Sequence, residues 1–523
     1  MPYDKYGIFY GVYMDKTIKN IVIIGGGSAG WLTAGILAKE HNERVNITLI
    51  ESPHVATIGV GEGTWPSMRN TLERIGIKES DFLTQCDASF KQGSQFIDWV
   101  DKSKHDKYYH PFMTPDGYGH IDLHAVWHSA DSRRTFADTI NHQSAICQHG
   151  LAPKQASTPQ YAAVTNYGYH LDATKFSNML QAHCVTYLKV NHILAHITEI
   201  QNDSNDFIEC IHTSDGEKIS GDLFIDCSGA TGLLIDKHYG IALKNQQHIL
   251  FNDRAIAAQV PYSEDESAIE PTTLSTAKSA GWVWDIGLTS RRGTGYVYSS
   301  NHLSKSDAKE ELINYISASI GKEKASALTY RTIKFTPGYR EKFWHKNCVA
   351  IGMSSGFIEP LEASALAMVE LSISYLSEQL PSSQTHMGLI ETRFNQQFEY
   401  RWQRVIEFLK LHYALSKRGD SQYWIDNRNE QSIPKRLQGL LALWQYQPPS
   451  RYDLEQQQEI FPSSSYQYIL YGMGFKTEQS LLTSSQQTIA KQLIDRNQDK
   501  IQQCIQGLPA TRALLQSITK ATA

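Results

Sequence analysis

The chain has 523 residues, 41% apolar and 20% charged, with a net charge of -5. Such a length allows several domains and a large core, the composition is that of an ordinary globular protein, and the mild acidity offers no basic face to nucleic acid or an anionic membrane. The seven cysteines are scattered and form no CxxC pair, which argues against a disulfide framework or a metal site and fits reduced thiols in the cytoplasm.

Residues 1–17 lack the apolar core of a signal peptide and are expected to form an N-terminal extension. Asn20–Ile24 (NIVII) is a short apolar run ending in glycines, the pattern of a buried parallel strand. Helical spacing follows over 29–40 and a second strand over 45–51, giving a βαβ unit. The uncharged stretch 21–38 has glycines near its middle, so it is expected to be strand, turn and helix, with no membrane span. A helix is expected over 66–75. Residues 92–170, rich in His, Tyr, Gly and Pro, suit loops and short elements around a pocket. Antiparallel strands are expected over 188–213, a buried strand over 221–227, mostly strands over 250–340 and a further buried strand over 348–353. After Ala363 the texture is helical. Phe394, Phe398, Trp402, Val405 and Leu409 fall on one helix face. The Gln- and Ser-rich stretch 451–487 suggests loops, and 488–520 a helix. His124 and His128 share a helix face, but no third ligand stands at a useful spacing, so no metal is expected.

Gly25-Gly26-Gly27-Ser28-Ala29-Gly30 is a GxGxxG run between the strand and the helix, and Glu51 ends the next strand. This context is a dinucleotide-binding fingerprint. Gly25 permits the tight turn, Gly27 lets the backbone approach a pyrophosphate, and Gly30 lets helix and strand pack closely. The helix start, with Ser28 and Ala29, offers free N–H groups to the phosphates. Glu51 is suited to accept hydrogen bonds from ribose hydroxyls. Two later strand ends, 224–229 and 350–355 with Gly352, favour FAD over NAD. No second complete GxGxxG unit exists, so the electrons are expected on flavin reduced elsewhere.

Six segments together resemble the flavin-dependent tryptophan halogenase family: GGGSAGW at 25–31, IGVGEGTWPS at 58–67, SFK at 89–91, LFIDCSG at 223–229, GWVWDIGL at 281–288 and GFIEPLEAS at 356–364. The resemblance implies a mixed α/β fold. Its FAD-binding domain is Rossmann-like, of the flavin monooxygenase type, interleaved with β-sheet structure over 18–370. A mainly helical substrate-side domain follows over 371–523. It also implies the chemistry: FADH2 and O2 turn chloride or bromide into hypohalous acid, which halogenates an electron-rich aromatic such as tryptophan or indole.

The matching positions carry over as implied roles. Lys91 matches the lysine that hydrogen-bonds the oxidant or forms a haloamine with it, and Glu362 the glutamate that assists halogenation or takes the ring proton. Gly59, Gly61 and Thr64 match a loop over the flavin. Trp282 and Trp284 match a pair between flavin and substrate, and being two apart on a strand they would point the same way. His110, Phe112 and Phe461 match the substrate pocket, and backbone N–H groups of Ser364 and Ala365 a halide site. The sequence departs from the family at Gly287, where proline is usual, and at Ala363-Ser364-Ala365, where Ser-Thr-Gly is usual. The implied partners are a separate flavin reductase and a small aromatic substrate, and a homodimer is left open. A flavin-dependent aromatic hydroxylase and a non-catalytic FAD-binding protein remain as alternatives.

Overall fold

In the run Asn20–Ile24 the last four residues are buried and form an inner strand of a six-stranded sheet. β-branched side chains stiffen at χ1 and suit a pleated surface covered on both faces. The computed structural model describes residues 17–54, 61–130, 133–456 and 458–522, so nearly all of the expected N-terminal extension, and Gly59, lie outside the described residues. The sheet runs Trp344–His345, Cys348–Ala350, Leu223–Asp226, Asn20–Ile24, Asn46–Glu51, Asn191–Leu194. Every pairing is parallel except that of the Trp344–His345 edge. Helix Ser28–His41 connects its first two strands, completing the expected βαβ unit.

A seven-stranded sheet forms the second layer. Its order is Arg331–Lys334, Arg254–Pro261, Arg291–Tyr298, Gly281–Gly287, Thr273–Lys278, Gly93–Ile97, Lys107–Pro111. Strand Gly281–Gly287 is buried at every position. Alternation divides it: Val283 packs in a cluster with Leu312 and Ile316 of helix Lys305–Ile320, while Trp282, Trp284 and Ile286 belong to the main core. A small antiparallel sheet of Glu62–Gly63, Gly168–Leu171 and Ser89–Lys91 presents Lys91.

Two expectations need correcting, and a third, the mostly stranded stretch 250–340, holds with an addition. Within 188–213 only Ile197–Asn202 and Ile208–Thr213 pair antiparallel; Asn191–Leu194 joins the Rossmann sheet in parallel. Its exposed ends and half-buried middle are those of any edge strand, so hydropathy does not reveal which sheet it enters. Residues 250–340 also contain helices Lys305–Ile320 and Lys322–Ala327. Residues 451–487 are not simply loops: Ser463–Gly472 is a helix buried from Ser463 through Tyr471. Several of its polar groups find partners inside the fold: Tyr118 and Ser463 share a hydrogen bond at 2.7 Å, and the Gln467 amide N–H donates to the Pro449 carbonyl at 2.7 Å.

Helices Ser364–Glu378 and Gln384–Leu415 follow the sheets. Phe394, Phe398, Trp402, Val405 and Leu409 form the expected buried face of the second. Among the described residues no helix is long and apolar enough to cross a membrane.

Candidate active site

The glycine loop fits a dinucleotide, position by position. Gly25 has φ 114, and a Cβ there would lie 2.2 Å from the Cys227 carbonyl oxygen. A Cβ at Gly30 would lie 1.9 Å from the Gly25 oxygen, so helix and strand meet there with no room for a side chain. At Gly27 a Cβ would meet nothing within 4 Å. This glycine is not required by packing, and open space at the helix start is what a pyrophosphate needs. Ser28 bonds to Ser177 at 3.2 Å. Glu51 ends its strand beside Gly26, with His192 at 3.2 Å. Gly352, at φ 77, packs against Ala29. These residues could hold the adenosine and pyrophosphate of FAD.

A second group gathers where the small sheet meets the start of helix Ser364–Glu378. Lys91 is 1% exposed. Its Nζ lies 5.4 Å from the centre of the Phe112 ring. A Cβ on Gly63 would press on that Nζ at 3.2 Å and on Ala363 at 3.4 Å, so loop, lysine and helix start share one space. Burial lowers the Lys91 ammonium to about 8, against the pull of Glu362. Gly61, at φ 86, packs on Ile286. Thr64 is fixed by paired bonds with Tyr169, 2.8 Å from its N–H and 2.9 Å to its hydroxyl.

Glu362 precedes the helix with φ 63, and Ala363 follows at φ 54. Two consecutive left-handed non-glycine residues are strained, and such strain concentrates at functional sites. The Trp65 indole N–H donates to the Glu362 carbonyl at 2.7 Å and holds the turn. The carboxylate is buried among polar groups of three elements. Its Oε1 lies 2.8 Å from His110 Nδ1 and 3.4 Å from His412 Nε2, and Ser94 donates to Oε2 at 3.3 Å. Ser94 and His110 are directly opposed across neighbouring strands. Burial would raise this carboxyl, but His110 and His412 outweigh it and hold the group well below the usual range.

Trp282 and Trp284 lie on one face of their strand, 1% and 7% exposed. The Trp282 N–H donates to Glu359 at 2.7 Å, and the Trp284 ring covers Gly295 on the next strand. Phe461 stacks on Phe408 at 3.7 Å and meets Trp65 edge-on at 5.0 Å. Ser364 is buried and Ala365 exposed in the first turn of their helix, where backbone N–H groups lack partners. His124 and His128 face each other at 3.0 Å, and no group of three metal-ligand side chains exists among the described residues.

Sequence reasoning missed Ser94, Glu359, His412 and Ser465. Ser94 had a detectable signal, since Gly93–Ile97 and Lys107–Pro111 form a plain hairpin. Glu359 lies within the GFIEPLEAS segment that also carries Glu362, whereas for His412 and Ser465 no local pattern points to the site.

The tryptophan halogenase family model matches residues 20–487. The chain is 32% identical to tryptophan 6-halogenase SttH of Streptomyces toxytricini over 87% of this chain and 89% of that one. It is 31% identical to tryptophan 7-halogenase RebH of Lentzea aerocolonigenes over 79% and 80%. Among solved structures, that of a tryptophan halogenase from Shewanella frigidimarina superposes with a TM-score of 0.93 at 48% identity, covering 97% of this chain and 98% of that one.

Proposed function

The chain belongs to the tryptophan halogenase family, and from that premise we propose how its residues halogenate an electron-rich aromatic such as tryptophan or indole. The working setting is the cytoplasm, with a separate flavin reductase. FAD, when bound reduced, supplies the two electrons with which O2 and chloride or bromide give hypohalous acid. Gly25, Gly27, Ser28, Ala29, Gly30, Glu51 and Gly352 would hold the cofactor, with the loop of Gly61 and Thr64 over its ring. The first-turn N–H groups of Ser364 and Ala365 suit a halide.

The carrying observation is that Lys91 and Glu362, far apart in sequence, are both buried and act on each other electrostatically, with Lys91 Nζ and Ala363, the residue after Glu362, meeting beside Gly63. In this reading the Lys91 ammonium donates a hydrogen bond to the hypohalous oxygen. The ring π electrons attack the halogen as the halogen–oxygen bond breaks, and the oxygen takes the Lys91 proton to leave as water. Glu362 stabilises the cationic ring and accepts the proton from the substituted carbon, whose C–H electron pair returns to the ring. Proton return from Glu362 to Lys91 restores both groups. A carboxylate held well below the usual range suffices here, because an arenium ion is a very strong acid. Trp282 and Trp284 keep the substrate from the flavin, and His110, Phe112 and Phe461 line the ring's pocket.

The test supplies purified protein with FAD, an unrelated flavin reductase, NADH, O2, and bromide or chloride over a mixture of tryptophan, indole and phenols. Mass spectrometry should show a halogen isotope pattern that Lys91→Ala abolishes and Glu362→Gln lowers by more than about a hundredfold. Hydroxylated products would replace this reading with that of a monooxygenase.

A further inference from the structure

Glu362 is held by two lines of side chains that end in hydroxyls. In the first, His110 Nδ1 lies 2.8 Å from Oε1 and His110 Nε2 lies 2.9 Å from the Ser465 hydroxyl. In the second, His412 Nε2 lies 3.4 Å from the same oxygen and His412 Nδ1 lies 2.9 Å from the Tyr108 hydroxyl. An ionised carboxylate only accepts, so His110 Nδ1, which is hydrogen-bonded to it, must carry the proton; His412 Nε2 faces the same oxygen at ion-pair distance without hydrogen-bond geometry. Each hydroxyl then meets the far nitrogen and fixes the plane of the ring. Burial, reinforced by Glu362, keeps the Tyr108 phenol protonated, so it remains a donor. Phe96 stacks on His412 at 4.6 Å and on Tyr108 at 4.8 Å and closes the second line.

The logic is that of a hydroxyl–imidazole–carboxylate row in which the far member orients the ring. Here the working end is the carboxylate. Both imidazoles face Oε1, at 2.8 and 3.4 Å, whereas among the described residues Oε2 has Ser94 alone, at 3.3 Å. Ser465 of helix Ser463–Gly472 meets His110 of strand Lys107–Pro111, and Tyr108 of that strand meets His412 of helix Gln384–Leu415, so each line crosses between the sheet and the C-terminal helices.

We propose that Ser465 and Tyr108 are positioning residues for halogenation: their hydroxyls orient His110 and His412 so that both rings occupy Oε1 of Glu362, reserving Oε2 for the proton of the halogenated ring. This rests on Glu362 acting as the base.

The experiment compares wild type, Ser465→Ala, Ser465→Thr, Tyr108→Phe and Glu362→Gln in the full chain with FAD bound. Ring-deuterated and unlabelled indole are halogenated in separate single turnovers, and the isotope ratio of the two rates of product formation is read. A single turnover includes the loss of the ring proton that follows cleavage of the halogen–oxygen bond. In wild type the proton leaves easily and the ratio stays near one. Ser465→Ala and Tyr108→Phe should each lower kcat about tenfold with KM changed less than about threefold, and slow the deuterated substrate about twofold relative to the unlabelled one as proton removal becomes limiting. Ser465→Thr, which keeps the hydroxyl, should restore both. A structural role alone would not move the isotope ratio. If both hydroxyl deletions leave kcat and the ratio unchanged while Glu362→Gln is inactive, the inference falls and the base survives. If Glu362→Gln keeps the wild-type rate, the base itself falls, and the inference with it.

Discussion

At Lys91, activity and stability pull in opposite directions. Burial lowers its ammonium to about 8, against Glu362, while a lysine in the unfolded chain titrates near 10.4. Between these values the unfolded state binds more protons, so the lysine's contribution to stability improves as pH rises through that window. Below about 8 its full charge-burial penalty is present. Lys91→Met removes the charge with little change of shape, and should stabilise the protein at pH 7 by up to about 3 kcal/mol while abolishing halogenation. Parallel unfolding curves at pH 7 and pH 9.5 test this, with the gap between variant and wild type narrowing at the higher pH. Activity gives an independent check. If the cation is the working form, kcat falls as pH rises above about 8, and a rise there would favour the neutral amine, as a haloamine route requires.

Among the elements, the glycine turn separates packing from ligand binding. Gly30→Ala would drive a methyl into backbone 1.9 Å away and should cost more than about 3 kcal/mol. Gly27→Ala meets only open space, so the apoprotein should keep its stability to within about 0.5 kcal/mol. FAD affinity should nonetheless fall at least tenfold, or about 1.4 kcal/mol, if that space receives the pyrophosphate as proposed. Melting curves beside flavin fluorescence titrations distinguish the two, and unchanged FAD binding in Gly27→Ala would remove the loop from the cofactor site. Both glycines were legible because strand, turn, helix and acidic strand end are consecutive in the chain. So was the shared face of Trp282 and Trp284, which a strand's period of two imposes. The helix Ser463–Gly472 was not. Its buried serines and Gln467 look like loop composition, and only partners such as Tyr118, His110 and the Pro449 carbonyl make them interior residues. His412 was hidden differently: it lies on the expected apolar helix, where a lone histidine carries no signal of the carboxylate it faces.

Across the whole molecule, Glu359 shows how distant parts are tied near the site. Its Oε2 accepts from Trp282 on the large sheet at 2.7 Å, from Asn252 beside that sheet at 2.9 Å, and from Tyr413 on helix Gln384–Leu415. Burial raises this carboxyl, with the three donors opposing, and Oε1 has no hydrogen-bond partner among the described residues. Such a group is costly to bury, and its evident use is to fix its donors. Trp282 is one of the two rings proposed to separate flavin from substrate, so its orientation should govern how much oxidant reaches the aromatic ring. Glu359→Ala would remove the shared acceptor of three buried donors, of which Asn252 keeps its bond to the Tyr413 hydroxyl, and should cost on the order of 3 kcal/mol. It should also release the Trp282 ring, raising the hydrogen peroxide formed per halogenated product. Trp282→Phe provides the control: it removes the indole N–H but retains a ring, so it should lose less stability than Glu359→Ala. If the ring itself is the barrier, Trp282→Phe should leak less peroxide than Glu359→Ala. Equal leakage from the two variants would assign the barrier to the hydrogen bond. Leakage from neither would mean that Trp282 does not separate the two sites, and Glu359 would then be a purely structural tie between sheet and helix.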